Sequence, residues 1–288
     1  MTSRERKSLV VVALVVAVGA LVALAGSQNG AEVGGIPVFA LAAAAAFVIQ
    51  WIVYIPSYLN RTERFFDLTG SLTYIVVTIG VLVLSGATDA RAWILAAMVV
   101  VWAVRLGSFL FRRVSRAGSD DRFDDLKASW PRFLVTWTLQ GLWVMLTAAA
   151  AWVAIAAESR PALDWLAWVG VALWVVGLTI EVVADNQKSR FKADPANEGR
   201  FIRTGLWSRS RHPNYFGEIV LWVGVAVVAA PAFVGWQWVA IISPVFVTLL
   251  LVRVSGIPML EKKADKRWGG EPEYEEYKRT TPVLVPRP

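Results

Sequence analysis

The sequence predicts an all-α membrane protein, a polytopic bundle of about eight transmembrane helices. Hydrophobic residues make up 56% of the 288 residues, and charged residues only 18%. That balance excludes a disordered chain and argues against an ordinary soluble domain. The apolar residues also recur in stretches long enough to cross ~30 Å of hydrocarbon, which takes about 20 residues of helix. We therefore predict one integral membrane domain over residues 1–288.

Eight apolar stretches fit this length. The first follows a basic N-terminus, as the core of a signal peptide would, but it is long and no convincing cleavage site follows it, so we interpret it as a helix. The sixth and seventh carry polar residues, which indicates partial exposure to an internal cavity. In chain order, the predicted spans are 8–26, 36–56, 69–86, 92–111, 132–156, 163–184, 214–231 and 236–255.

The basic residues predict the topology independently of hydropathy, because cytoplasmic loops collect Lys and Arg. The predicted cytoplasmic regions are the N-terminus, the loop 61–64, residues 112–132, residues 188–211 and the tail, and they hold 25 of the 29 basic residues. Arg105 and Arg253 lie inside predicted spans, and the opposite side of the membrane keeps only Arg91 and Arg160. Both termini and the two longest connections, 112–131 and 185–213, are therefore predicted to be cytoplasmic. Because these loops would face an anionic leaflet, the net charge of +7 needs no nucleic-acid partner.

The tail, residues 257–288, is predicted to form a short interfacial helix that ends at Pro282. Its aromatic residues would lie at the level of the lipid headgroups. We expect this tail on the same cytoplasmic side as the two long connections.

Several kinds of site are excluded by the residues that the chain lacks. With no Cys and one His, it cannot form a disulfide framework, a thiol nucleophile, a Cys-ligated zinc or iron–sulfur site, or a His cluster for a metal. The glycine fingerprints of Rossmann and P-loop proteins are absent, as are the H-E-x-x-H, G-x-S-x-G and paired C-x-x-C motifs. We expect no metal site.

Polar residues cluster between Glu181 and Glu218, where hydrocarbon makes them costly. Glu181, Asp185 and Lys188 are spaced i, i+4 and i+7, so they share one face at the end of the sixth helix. A carboxylate there opposes the helix macrodipole, so Asp185 needs a cation or a ligand donor. The alternative is a solvated helix end in which Asp185 pairs with Lys188.

A second polar group surrounds Pro213, which can occupy the first turn of the seventh helix. Asn214 and Glu218 are then i, i+4 neighbours and are a plausible pair of hydrogen-bond partners for one ligand. The backbone N–H groups of this helix start, with Arg209 and Arg211 beside them, suit a pyrophosphate. The alternatives are that His212 caps the helix or lies at the interface, and that Glu218 pairs with a nearby Arg.

The most distinctive motif is Arg-His-Pro-Asn-Tyr-Phe-Gly-Glu at 211–218, preceded by Ala-Asp-Asn-Gln at 184–187 and Gly-Leu-Trp at 205–207. Further matching segments are 66–72, 105–107, 121–124 and 277–286. Together they resemble the bacterial steroid 5-alpha-reductase-like membrane family, a domain-of-unknown-function group. That family is related to sterol reductases and to isoprenylcysteine carboxyl methyltransferases, which share an Arg-His-Pro segment and a carboxy-terminal Glu before a Tyr-rich stretch.

The resemblance to the reductases implies a bound NADPH. In steroid reductases, a Glu on an early helix and a Tyr on a later one polarise the enone carbonyl. Here Gln50 and Tyr54 stand near the position of that Glu, and Trp102 stands near that of the Tyr. The candidate catalytic residues in this chain are Tyr54 and Glu218. The implied cofactor-binding residues are Arg105, which needs an anion inside its apolar span, together with Asp185, Lys192, Arg200, Arg211, His212, Asn214, Tyr215, Glu218 and Tyr277.

We therefore expect an NADPH-dependent reductase of a conjugated C=C bond in a steroid-like or isoprenoid enone that enters from the bilayer, in the inner (plasma) membrane of a bacterium. Its partners would be this lipophilic substrate and membrane lipid. NADPH would deliver the hydride, while the protein positions the cofactor and excludes water. The protein would also stabilise the developing enolate oxygen, with Tyr54 as hydrogen-bond donor. Two alternatives stay open: an S-adenosylmethionine-dependent methyltransferase of a membrane-soluble or lipidated substrate, and a non-enzymatic transporter or lipid-binding scaffold.

Overall fold

The computed structural model describes residues 2–117 and 123–287, and it is almost entirely helical. Residues 118–122 of the predicted 112–131 connection lie outside the described residues. The elements are α1 (Ser3–Gly26), β1 (Glu32–Val33), β2 (Ile36–Pro37), α2 (Val38–Leu59), α3 (Phe66–Leu84), α4 (Ala90–Ala117), α5 (Asp124–Lys127), α6 (Trp130–Ala156), α7 (Trp165–Ala193), α8 (Pro213–Ala229), α9 (Ile242–Leu249), α10 (Ile257–Trp268) and α11 (Pro272–Thr280), with β1 and β2 paired antiparallel.

Eight helical runs of the described chain are long and apolar enough to cross a membrane, which confirms the predicted polytopic helical bundle. The eighth run, Gly235–Trp268, is irregular. It combines 3-10 turns over Gly235–Ile241, then α9, a π-helical segment over Leu250–Val254, and α10. The predicted span 236–255 is therefore not one regular helix, because hydropathy reports length and polarity but not the register of backbone hydrogen bonds.

The sixth predicted span ends nine residues too early. Helix α7 runs to Ala193, so the start of the predicted 185–213 connection is helical. The helix stops before Asp194, since a residue that precedes a proline, here Pro195, disfavours helical backbone. The predicted 112–131 connection likewise begins inside α4. Polar sequence marks the end of an apolar stretch, and it does not by itself end a helix.

The tail forms two helices, α10 and α11, where a single short helix was predicted. Gly269 and Gly270 separate them, and Gly270 adopts a positive φ of 86°, a conformation that suits glycine. Pro272 then occupies the first turn of α11, where its missing N–H costs no hydrogen bond. Helix α11 ends at Thr280, so the helical part stops before Pro282 as predicted.

The chain divides into two compact units. Unit 1 contains Met1–Ala167 and Val228–Ser243, and unit 2 contains Trp168–Val227 and Pro244–Pro288. That residues 1–288 form one membrane domain stays a prediction.

Unit 1 is built around α6, which packs against α1, α2, α3 and α4. Its second half is almost fully buried and includes an alanine run that lets neighbouring helices approach closely. Two pairs of buried polar side chains are hydrogen-bonded inside this core. Gln50 Nε2 donates to Thr73 Oγ1 at 2.8 Å, and Trp152 Nε1 donates to Thr78 Oγ1 at 2.8 Å. Such pairing is expected because an unpaired polar group in an apolar core is costly.

The two arginines predicted on the non-cytoplasmic side both have local hydrogen-bond partners. Arg91, 3% exposed, donates to the backbone oxygens of Val228 at 2.6 Å and Ala162 at 2.8 Å. Arg160 donates to the Asp89 carboxylate at 2.8 Å. Each of these guanidinium groups therefore has hydrogen-bond partners within unit 1.

In unit 2, α7 and α8 approach each other so closely that their contact is made by glycines. A Cβ on Gly177 would lie 2.5 Å from the carbonyl oxygen of Gly217 and 2.5 Å from the Leu221 nitrogen. A Cβ on Gly224 would lie 2.6 Å from the carbonyl oxygen of Gly170. Because Gly170 meets Gly224 and Gly177 meets Gly217, the two helices run antiparallel. Their contact brings the end of α7 beside the start of α8.

We expect Gly177→Ala to destabilise the protein by about 1–3 kcal/mol, because the added methyl collides with backbone that cannot move aside cheaply. The matched control is Gly80→Ala, a helical glycine in α3 at which a Cβ would meet nothing within 4 Å. Alanine there should be neutral or stabilising by up to about 1 kcal/mol, since it is the better helix former. Thermal unfolding in detergent compares the two, and equal shifts would contradict the close α7–α8 contact.

Candidate functional site

The site begins where the last turns of α7 meet the first turn of α8. Asp185 is 8% exposed, and its Oδ1 accepts a hydrogen bond from Asn214 Nδ2 at 3.2 Å. The Asn214 amide therefore supplies a donor for the carboxylate that the macrodipole of α7 opposes. Lys188 places its ammonium group 4.3 Å from the centre of the Trp207 ring, a cation–π contact.

The loop between α7 and α8 is docked on the end of α7 through Trp207. The Trp207 indole N–H donates to the carbonyl oxygen of Ala184 at 3.0 Å. Gln187 Oε1 accepts from the backbone N–H of Leu206 at 2.9 Å. Gly205 has a positive φ of 62°, and a Cβ there would crowd the Gln187 side chain. The Gly-Leu-Trp motif therefore makes a tight turn that holds the loop against α7.

Residues 281–287, here called the C-terminal strap, cover the other side of this loop. The Tyr277 hydroxyl, just before the strap, donates to the carbonyl oxygen of Trp207 at 2.6 Å. The strap fixes the backbone on both sides of Ser210. Its hydrogen bonds run from Arg211 N to Pro282 O (2.9 Å), from Arg287 N to Arg209 O (3.0 Å) and from Ser210 Oγ to Leu284 O (2.8 Å).

Arg211 and His212 share one carboxylate, that of Glu261 in α10. Arg211 Nη1 lies 2.7 Å from Glu261 Oε2, and His212 Nε2 lies 2.7 Å from Glu261 Oε1. His212 is 5% exposed, and its ring stacks on Tyr215 at a centroid distance of 5.7 Å and an angle of 9°. Helix α8 starts at Pro213, as the sequence predicted. This cluster therefore sits directly at the N-terminus of α8.

Burial lowers the pKa of His212 below its ordinary value of 6.5, although the contact with Glu261 opposes the shift. The imidazole is therefore neutral at pH 7. Burial also raises the pKa of the Tyr277 hydroxyl, so Tyr277 is protonated and acts as a hydrogen-bond donor.

Two polar atoms of the cluster are buried without a hydrogen-bond partner among the residues that the structure describes. They are Nε of Arg211, a donor, and Nδ1 of His212. Other buried atoms of the described chain also lack a partner, but these two lie together at a helix N-terminus, where free backbone N–H groups favour an anionic or polar ligand. These residues fit a dinucleotide, which offers phosphates as well as hydroxyl and amide groups that both donate and accept.

The structure brings most of the sequence-predicted cofactor residues into unit 2, at or near this junction. Asp185 contacts Asn214, and Arg211, His212 and Tyr215 form the cluster. Glu218 lies one turn further along α8 and is half-buried. The side chains of Lys192, in the last turn of α7, and Arg200, in the following loop, are both exposed. Tyr277 reaches the junction through its bond to Trp207.

Tyr54 and Arg105 lie in unit 1. The Tyr54 hydroxyl donates to the carbonyl oxygen of Trp130 at 3.0 Å, and its ring stacks on Tyr58 at 5.9 Å. Arg105 lies 5.5 Å above the ring of Phe109. Their roles in catalysis and in cofactor binding stay predictions.

Sequence reasoning gave no role to Glu261, although it joins Arg211 to His212. Its partners precede it by 50 and 49 residues, so no local spacing connects them. The one available signal was the resemblance itself, which includes a carboxy-terminal Glu before a Tyr-rich stretch. The contact between Lys188 and Trp207 was also missed, because Lys188 was considered only as a partner for Asp185.

Comparison with known proteins places this site within a recognised family. A family model described as "Protein of unknown function (DUF1295)" matches residues 51–281. The match includes every sequence-predicted site residue, from Tyr54 to Tyr277, and also Glu261.

Three curated relatives are distantly similar to the chain. An uncharacterized protein of Schizosaccharomyces pombe is 24% identical over 186 residues, 53% of this chain and 54% of the relative. The 3-oxo-5-alpha-steroid 4-dehydrogenase 1 of Rattus norvegicus is 27% identical over 118 residues, 41% of this chain and 40% of the relative. Steroid 5-alpha-reductase DET2 of Arabidopsis thaliana is 27% identical over 128 residues, 43% of each. The chain thus spans about half or less of the length of these relatives. No solved structure matches it.

The lowered pKa of His212 predicts how stability depends on pH. Below about 6.5 the unfolded chain protonates this residue while the folded protein does not, so stability should fall as pH drops through that value towards the folded pKa. The charged groups that act on the ring are Glu261, Arg211 and Lys188. Unfolding of wild type and His212→Gln between pH 7.5 and 5.5 tests this. The variant should show the flatter profile, and parallel profiles would contradict a neutral buried imidazole.

Proposed function

The chain belongs to the DUF1295 family, and on that premise we propose that it is a membrane-embedded reductase that uses NADPH to reduce a conjugated C=C bond in a lipophilic enone. Its distant similarity to a 3-oxo-5-alpha-steroid 4-dehydrogenase and to a steroid 5-alpha-reductase supports an oxidoreductase. We infer a steroid-like or isoprenoid substrate that enters from the bilayer of a bacterial plasma membrane.

The junction of α7 and α8 is the observation that carries this proposal. Helices α7 and α8 bring together the hydrogen-bonded Asp185–Asn214 pair, and the loop before α8 forms the Arg211–His212–Glu261 cluster with α10, all within unit 2. A concentration of ionisable groups at the end of membrane-crossing helices is typical of a functional site.

Different residues of the site would bind different parts of a dinucleotide. Arg211 and the first N–H groups of α8 suit phosphate oxygens, because the guanidinium group is a cation and a helix N-terminus carries a partial positive charge. Asp185 and Asn214 accept and donate hydrogen bonds and suit hydroxyl and amide groups. Lys192 and Arg200 add exposed positive charge on the loop that follows α7. When bound, NADPH supplies the hydride.

Tyr54 would donate a hydrogen bond to the substrate oxygen, on which negative charge develops during reduction. A phenol does this without bringing a charge into the membrane. In the structure the Tyr54 hydroxyl donates to the carbonyl oxygen of Trp130, so it must break this hydrogen bond in order to donate to the substrate.

Cofactor binding to detergent-purified protein is the direct test. A ligand that binds only the native state raises stability, by about 2.7 kcal/mol at a concentration of 100 times Kd. We expect NADPH to raise the melting temperature and S-adenosylmethionine to have no effect. Asn214→Ala should weaken NADPH binding about tenfold, because it removes the donor to the Asp185 carboxylate.

The matched control is Asn60→Ala, which removes an exposed side chain that donates to the carbonyl oxygen of Pro56 at 2.8 Å in unit 1. This control should keep the NADPH response. Stabilisation by S-adenosylmethionine alone would replace the reductase with a methyltransferase. A folded protein that responds to neither compound would be left with a non-enzymatic role.

Tyr54→Phe tests the donor. We expect kcat for NADPH-dependent enone reduction to fall about 100-fold, as for removal of an oxyanion donor, with NADPH affinity unchanged. Tyr58→Phe is the control, since Tyr58 lies one turn along α2 and stacks on Tyr54. If both variants keep wild-type kcat, Tyr54 is not the donor.

A further inference from the structure

His212 is the one histidine of the chain, and its two ring nitrogens have different surroundings. Nε2 lies 2.7 Å from Glu261 Oε1. Nδ1 is buried without a hydrogen-bond partner among the described residues. One ring nitrogen is thus used in a contact within the protein, and the other is open to a hydrogen bond from a ligand.

The Glu261 contact determines which nitrogen carries the proton. The second oxygen of the same carboxylate is paired with Arg211 Nη1 at 2.7 Å, and an ionised carboxylate can only accept hydrogen bonds. Nε2 must therefore be the protonated nitrogen that donates to Glu261. In a neutral imidazole the other nitrogen then carries a lone pair, so Nδ1 is a hydrogen-bond acceptor.

The ring cannot turn to satisfy Nδ1 elsewhere. It is stacked on Tyr215 at 9°, and its side chain is only 6% exposed. The backbone N–H of His212 donates to Ser210 Oγ at 3.2 Å, and Pro213 follows directly and restricts the His212 backbone. The acceptor is therefore held in one orientation at the start of α8.

We propose that Nδ1 of His212 accepts a hydrogen bond from a donor group of the bound dinucleotide, a ribose hydroxyl or the carboxamide N–H, and that Glu261 is the positioning residue that fixes the required tautomer. The ligand in this inference rests on the proposed function, whereas the tautomer does not. The neighbouring Arg211 Nε–H adds an unpartnered donor, so the cluster offers a ligand both kinds of hydrogen bond.

Because the chain has one histidine, labelling histidine with 15N gives a single imidazole spectrum of the full-length protein in detergent. At pH 7.5 without ligand, we expect an N–H type resonance for Nε2 and a bare-nitrogen resonance for Nδ1, assigned from their couplings to the ring protons. A proton on Nδ1, or two averaged resonances, would overturn the assigned tautomer.

Adding NADPH tests the ligand contact. The Nδ1 resonance should move towards the N–H region as it accepts a hydrogen bond, while the Nε2 resonance stays in place. The 3-acetylpyridine analogue of NADPH lacks the carboxamide N–H and distinguishes the two donors: a retained shift identifies a ribose hydroxyl, and a lost shift identifies the carboxamide.

The outcomes separate this inference from the proposed function. If NADPH stabilises the protein but Nδ1 does not move, the ligand contact is overturned and the reductase stands. If NADPH does not bind at all, the proposed function and the ligand contact fall together, and the tautomer measured without ligand still decides the role of Glu261.

Two histidine replacements isolate the acceptor. A glutamine amide can reach the position of Nε2 and keep the contact with Glu261, whereas an asparagine amide mimics Nδ1. At pH 7.5, we expect His212→Gln to keep the wild-type melting temperature and to lose about tenfold in NADPH affinity, the value of one hydrogen bond. His212→Asn should keep more of that affinity. Equal affinity in wild type and His212→Gln would overturn the contact.

Glu261→Gln tests the positioning role, because its amide can donate to Nε2 and so permits a proton on Nδ1. We expect the 15N spectrum of this variant to show the second tautomer. The control is Glu276→Gln on α11, an exposed residue that pairs with Arg279. Its spectrum should match that of wild type, and an unchanged Nε2–H tautomer in a folded Glu261→Gln protein would overturn the role of Glu261.

Discussion

The close backbone approach of α7 and α8 is the constraint on which the candidate site depends. Gly177 and Gly217 leave no room for a side chain between the helices. Asn214 lies about one turn before Gly217, and Asp185 lies about two turns beyond Gly177, so the same contact brings their side chains within a hydrogen bond. A larger residue at either glycine would separate the helices by more than this 3.2 Å bond tolerates. In the membrane, where burial of apolar surface does not drive helices together, such small residues decide which helices meet.

A partly buried ion pair between Arg211 and Glu261 then ties the tail to this junction. Losing one partner of a fully buried pair costs about 3–5 kcal/mol, and less here because the Glu261 side chain keeps 22% of its exposure. If α10 moved away, the Arg211 guanidinium would lose its carboxylate partner. The ion pair therefore favours the conformation in which the tail packs on the junction. The loop that carries Arg211 and His212 is thereby held by α7 through Trp207, by α10 through Glu261, and by the C-terminal strap. Such support from several elements gives a binding site defined geometry without a ligand present.

Local patterns predicted what depends on local chemistry. Hydropathy predicted the eight membrane-crossing runs, and the preference of proline for a first turn predicted the start of α8 at Pro213. The extension of α7 to Ala193 was missed because a helix continues as long as its hydrogen bonds do, whatever its polarity. Glu261 was missed because its partners are distant in sequence, and the division of the tail because its Gly269–Gly270 break was overlooked. Contacts between distant segments follow from packing, which periodicity does not report.

The pairing of charges in the cluster has a consequence for how it would hold an anionic dinucleotide. Arg211 is already neutralised by Glu261, and His212 is neutral, so this cluster carries little net charge. A buried cation without a partner would have been costly in the protein before any ligand arrived. The phosphates of a dinucleotide must then be balanced mainly by exposed residues such as Lys192 and Arg200, whose attraction acts over a distance and is screened by salt. The buried polar atoms instead select a ligand by the positions of its hydrogen-bond donors and acceptors, and salt does not screen these short contacts. Exposed basic residues would thus attract the dinucleotide, and buried polar atoms would select it. A site at the membrane boundary can therefore be specific without burying an unpaired charge.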